Sequence, residues 1–158
     1  MKTLILLRHA KSELPSVSQK DFDRRLSDKG RIDIVKVSVA FNLLGIQPDA
    51  ILCSSSTRTR ETLETYLKVS GVKTKILYLD ELYHASASEI LNIVNQYENQ
   101  YNRILVVGHN FGISTLADRL SKTGAEQMST SAIHVLEFAE TIEPYQGNLI
   151  HSLNKKSV

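Results

Sequence analysis

Three apolar runs that break off into polar clusters constrain this chain more than any other feature. Leu4-Ile5-Leu6-Leu7 ends in Arg8-His9-Ala10-Lys11-Ser12. Ala50-Ile51-Leu52-Cys53 ends in Ser54-Ser55-Ser56-Thr57-Arg58, and Ile104-Leu105-Val106-Val107 ends in Gly108-His109-Asn110. Short continuous apolar runs with polar ends read as buried strands, apolar on both faces. In open α/β sheets ligands bind at the carboxyl ends of such strands. The three polar tips are therefore expected to meet, with two histidines and two arginines around one anion.

The segments between the runs follow the same plan. Glu13 to Arg25, which includes Pro15, reads as a loop. Ser27 is placed to cap a helix with Asp28 in its first turn, and Ile34, Val37, Phe41 and Leu44 recur at helical spacing. Gly45 and Pro48 end that helix. A second helix is expected from Thr57 to about Val69, stopped by Gly71, then a strand over Lys75 to Leu79. Asp80 to Ala85 is a loop carrying Glu81, Tyr83 and His84. Ser86 and Glu89 stand at capping-box spacing ahead of a third helix, and a fourth follows Asn110. Ala132 to Phe138 reads as a strand and Asn148 to Leu153 as an edge strand. Strands alternating with helices imply an α/β fold: a single three-layer domain with a mostly parallel central sheet covered by helices on both faces. That domain is expected over residues 1–153, with 154–158 as a frayed tail.

Composition narrows the function classes. The chain has 158 residues, 42% hydrophobic and 23% charged, as in ordinary globular proteins. A net charge of +2, with charges scattered along the chain, argues against nucleic acid or a membrane as partner. No apolar run approaches membrane-spanning length, and the amino terminus lacks signal-peptide character. Cys53 is the only cysteine and lies in an apolar run, where it reads as a packed thiol. A reduced, cytoplasmic setting is the expectation.

Each candidate residue has a plain structural reading beside the functional one. Arg8 and His9 suit a strand end, and neighbours on a strand face opposite ways, so both enter one pocket only if the chain bends after Leu7. His109 after Gly108 repeats the arrangement, and Gly108 would permit close backbone approach or an unusual dihedral angle. Arg58 opens a helix, where backbone N–H groups favour anions and a guanidinium adds a fork matched to phosphate oxygens. Phosphoryl transfer spreads negative charge over oxygens, so placement and charge compensation do most of the work. A neutral imidazole attacks phosphorus if one nitrogen is free and the other is held by an acceptor. Glu81 is the best-placed carboxyl group to protonate a leaving group; its plain reading is an exposed loop glutamate. The five histidines show no metal-ligand spacing, and no nucleotide-binding pattern is present, so neither metal nor cofactor is expected. Which histidine attacks does not follow from the spacing.

Several of these segments together resemble a known family. Arg8-His9-Ala10-Lys11-Ser12 is similar to the R-H-A-K-S opening of the SixA-like branch of the histidine phosphatase superfamily. Asp21 to Gly30 resembles its D-x-x-R-P-L-S-x-x-G, and Ser54 to Thr62 its S-x-x-x-R-x-x-x-T. Leu82-Tyr83-His84-Ala85 looks like L-Y-x-A, and Gly108-His109-Asn110 like G-H-N. The matches run in order from residue 4 to about residue 138. Arg25, Phe111 and Ser129 stand where this branch often has proline. The resemblance implies a phosphoglycerate mutase-like fold and a metal-independent phosphatase in which His9 forms a phosphohistidine intermediate. Arg8, Arg58 and His109 would surround the phosphoryl group, Glu81 would fall near the proton donor of mutase-type relatives, and Lys11 and Asn110 would line the pocket. The implied substrate is phosphohistidine on a protein. The alternatives are a phosphatase of small phosphate esters and a phosphate-binding module without turnover.

Overall fold

Alternation along the first strand organises both halves of the core. In β1 (Lys2–Arg8), Leu4 and Leu6 pack into one apolar cluster, whereas Ile5 and Leu7 pack into another. All four are fully buried, which stabilises the fold by about 1.5–3 kcal/mol each. Period-two geometry thus explains why the run is continuously apolar: helices cover both faces of the sheet. The structure is a computed structural model and describes residues 1–158.

The other strands are β2 (Ala50–Ser54), β3 (Lys75–Leu79), β4 (Arg103–Gly108), β5 (Ile133–Phe138) and β6 (Asn148–Leu153). They form one six-stranded sheet in the order β3-β2-β4-β1-β5-β6. β1 to β4 are mutually parallel, and β5 is antiparallel to both β1 and β6. α1 (Asp28–Asn42) and α2 (Thr57–Ser70) cover the face of Ile5 and Leu7. α3 (Ala87–Tyr97) and α4 (Gly112–Leu120) cover the other. The chain is a single α/β domain with a mostly parallel sheet between two helical layers.

The helix ends are built as the sequence implies. Ser27 Oγ accepts from the Gly30 amide, and Ser86 with Glu89 forms a reciprocal capping box. Gly71 closes α2 in the left-handed conformation at φ 70°. Two expectations need correction. α1 stops at Asn42, so Leu44 falls in the following turn and is half-exposed instead of packing on the sheet. Residues 154–157 form a turn. The Asn154 side chain accepts from the amides of Lys156 and Ser157 at 2.9 and 3.0 Å, and Lys155 Nζ donates to Thr130 Oγ1 at 2.8 Å. At Gly108 an added Cβ would meet only Ile113 Cδ1, at 3.7 Å, so neither close approach nor an unusual dihedral requires glycine there.

Candidate active site

Sheet topology makes the cleft. β1 and β4 are neighbours, with Arg8 in register with Gly108. The chain leaves β1 for the α1–α2 layer and leaves β4 for the α3–α4 layer. Adjacent strand tips whose connections depart to opposite faces open a crevice between them. About 260 Å³ of space there is lined by Arg8, His9, Lys11, Ser12, Arg24, Arg58, His84, His109, Asn110 and Thr130. Six of these were singled out from sequence. The strand runs to Arg8, one residue past the expected bend, and Arg8 and His9 still reach the same cleft.

His9 is held in a single orientation. Its Nδ1–H donates to the Ala10 carbonyl oxygen at 2.7 Å, which leaves Nε2 with its lone pair free. The Ala10 amide in turn donates to Thr62 Oγ1 at 3.0 Å, and that hydroxyl donates to the Arg58 carbonyl at 2.7 Å. His109 follows β4, and its ring centroid lies 5.2 Å from that of His9. His109 Nε2 and Ser54 Oγ share a hydrogen bond of 2.8 Å. With the serine hydroxyl donating to Nε2, the neutral imidazole carries its proton on Nδ1, which has no hydrogen-bond partner in the protein. The spacing of Ser54, Arg58 and Thr62 now has a physical meaning. Ser54 sits at a strand tip and steadies His109. Arg58 and Thr62, four apart on one face of α2, hold the cleft and the backbone beside His9.

Burial sets the charge state of the two histidines. It lowers the His9 pKa to about 3; the Ala10 hydrogen bond opposes this, and the charges of Arg58, Arg8 and Arg24 add to it. Burial and the neighbouring His9, Arg58 and His84 lower His109 to about 2. Both rings are therefore neutral near pH 7. Arg58 is 2% exposed and donates to the Asp21 carbonyl at 2.8 Å and to Asp21 Oδ2 at 3.0 Å. Four of the eight buried side-chain polar atoms without a protein partner belong to this cleft: Nε of Arg8, Arg24 and Arg58, and Nδ1 of His109. Unpartnered buried donors gathered in one place are what an anion-binding site supplies.

The rim comes from residues that sequence reasoning gave no role. Asp21, in a 3-10 turn over Asp21–Asp23, is its centre. It accepts from Arg24 at 2.7 Å, from His84 Nε2 at 3.1 Å and from the Tyr83 hydroxyl. Partial burial alone would raise the Asp21 pKa, but hydrogen bonds from Tyr83, Arg24 and His84 and the Arg58 charge outweigh it and hold the carboxyl well below its usual range. The signal for Asp21 and Arg24 was their place in one polar segment following β1; only folding brings that segment over Arg58. Glu81 does not join them. It is exposed on the 3-10 turn Asp80–Leu82, lines no part of the cleft, and makes no hydrogen bond or ion pair. Lys11 and Asn110 do line it; Asn110 Nδ2 donates to the Met128 carbonyl at 3.1 Å, beside the Arg8 Nη1 bond to the same oxygen at 3.0 Å. No grouping of three or more His, Cys, Asp or Glu side chains has metal-holding geometry.

A mostly parallel sheet whose strand tips gather arginines and histidines offers a place for a phosphoryl group. The chain belongs to the histidine phosphatase superfamily, branch 1, whose family profile matches residues 4–85, and it is a phosphatase of SixA-like architecture. An uncharacterized chloroplastic protein of Arabidopsis thaliana is 32% identical over 151 residues, covering 90% of this chain and 69% of that protein. An uncharacterized Mycobacterium tuberculosis protein is 31% identical over 145 residues, covering 84% and 87%. Among solved structures, SixA from Agrobacterium tumefaciens superposes with TM-score 0.85 at 24% identity, over 96% of this chain and 97% of that one. A protein histidine phosphatase SixA complexed with tungstate gives TM-score 0.85 at 18% identity, over 98% of each chain.

Proposed function

We propose that this phosphatase removes phosphoryl groups from histidine on a protein, without a metal, through a phosphohistidine formed on His9. The observation that carries the reading is the His9 hydrogen bond to the Ala10 carbonyl, which places the proton on Nδ1 and presents Nε2 as a neutral nucleophile. Arg8 and Arg58 supply fixed positive charge to the phosphoryl oxygens. His109 supplies an N–H donor, and a dianion beside it would favour its protonated form. Water then attacks the phosphorus, and the His9 Nε2–P bond breaks to release phosphate.

Leaving-group chemistry supports a phosphohistidine substrate. The cleft lining contains no carboxyl group, and Asp21 at its rim is held ionised. A departing alkoxide needs a strong proton donor, whereas a departing imidazole is far less basic and needs only a weak one. The open cleft also suits a side chain presented on a protein surface. The test is chemical trapping with labelled substrate. Label should stay on the wild-type protein in alkali and be lost in acid, and His9→Ala should bind no label and lose turnover by at least about 10⁴-fold. Retained hydrolysis in His9→Ala would remove the nucleophile assignment. Faster release from sugar phosphates than from a histidine-phosphorylated protein would favour the small-ester alternative.

A further inference from the structure

The His84–Asp21 pair is the one group at this cleft with the form of an acid–base catalyst and no assigned part in the reaction. His84 lines the cleft, and its side chain is 53% exposed. Its ring centroid lies 5.1 Å from that of His109 and 4.2 Å from that of Tyr83. Nε2–H donates to Asp21 Oδ2 at 3.1 Å, so Nδ1 is the nitrogen left without a protein partner. A carboxylate that fixes one imidazole nitrogen leaves the other to exchange protons, and it stabilises the imidazolium when one forms. Asp21 is itself fixed by Arg58, Arg24 and Tyr83. His84 also holds φ at 53°, a left-handed conformation that a non-glycine residue adopts at some cost and that recurs at functional sites.

We propose that His84 is the general acid–base of this site, working through Nδ1 with Asp21 as its orienting partner. This rests on the reading of His9 as the phosphorylated nucleophile. In the first step His9 Nε2 forms a bond to phosphorus, the substrate P–N bond breaks, and the departing nitrogen takes a proton from the His84 imidazolium. In the second step neutral His84 takes a proton from water as the water oxygen bonds to phosphorus. The His9 Nε2–P bond breaks, its electron pair returns to Nε2, and phosphate leaves with the oxygen of that water. His84 ends the cycle protonated, as it began. The groups facing it are Asp21 and Arg24 from the segment after β1, Arg58 from α2, Tyr83 from its own turn, and His9 and His109 from the strand tips.

The experiment is rapid-quench phosphorylation by labelled phosphoramidate, with His84→Gly beside the wild type. Glycine adopts a φ of 53° without strain, so the backbone is kept and a ring-sized space remains. Phosphoenzyme breakdown in His84→Gly should slow on the order of 100-fold, so that acid-labile label accumulates. Its pH profile should differ from that of the wild type, and added imidazole should restore both rate and profile. Breakdown at the wild-type rate would overturn the proposal, as would slowed breakdown that keeps the wild-type pH profile. Failure of the underlying reading is seen separately, as absence of acid-labile, alkali-stable label from both proteins.

Discussion

The floor and the rim of the cleft are built on different physics. Floor residues follow buried strands: His109 is 2% exposed and His9 8%. Their positions are tied to sheet register and to a core in which β1 is wholly buried. Rim residues come from two 3-10 turns, and the side chains of Asp21 and His84 are 43% and 53% exposed. Polar contacts centred on Asp21 place their side chains, while buried Leu82 and the Phe22–Tyr83 edge contact anchor the turns beneath. Local stability follows this division: strand tips open with the whole domain, whereas such turns open on their own. The floor is thus suited to hold a transition state, and the rim to admit a substrate.

Arg58 belongs to both regions, since it reaches the floor and carries the rim through Asp21. Its replacement by alanine gives the largest expected effect: kcat should fall about 10²–10³-fold, and the 12–26 segment should become more open to proteolysis. A slowed enzyme with an unchanged protease pattern would break the link between the two regions.

Thr62→Val acts on the floor alone. It leaves the buried Ala10 amide without an acceptor, so stability should drop about 1–3 kcal/mol in denaturant titration, with proteolysis at the rim unaltered.

Acid should weaken the floor next. His9 and His109 have folded-state pKa values of about 3 and about 2, below the unfolded value, so the unfolded chain binds more protons under pH 6.5. Stability should therefore be flat above pH 6.5 and decline from there towards pH 3. The slope should be on the order of 1 kcal/mol per pH unit for each histidine, and a double His→Phe variant should flatten it.

Glu81→Gln should change least, with kcat and stability within about twofold and 0.5 kcal/mol of wild type. A bell-shaped pH profile that loses its basic limb in this variant would return Glu81 to the reaction.

How much was legible in the sequence follows the same line. Runs such as Leu4–Leu7 and Ile104–Val107 carry their fold in their composition, so strand, burial and tip were readable, and so was the gathering of His9, Arg8, Arg58 and His109 in one cleft. Capping signals at Ser27 and Ser86 fixed two helix starts for equally local reasons. Asp21 and His84 were not readable as partners. They lie 63 positions apart, and nothing local to either marks the other. Glu81 shows the converse: proximity along the chain to a strand end suggested a role, but the chain carries His84, three residues on, into the cleft and leaves Glu81 outside its lining. The turn closed by Asn154 was not readable from the polar composition of the tail.

The Lys155 contact with Thr130 sets the two chain ends apart. Thr130 belongs to the cleft wall, so any polypeptide continuing past Val158 starts three residues from the place where substrate enters. Met1 lies at the far pole of the sheet, about 20 Å away along a seven-residue strand. An appendage at the amino end is thereby insulated from the chemistry, and one at the carboxyl end becomes a neighbour of whatever the enzyme acts upon.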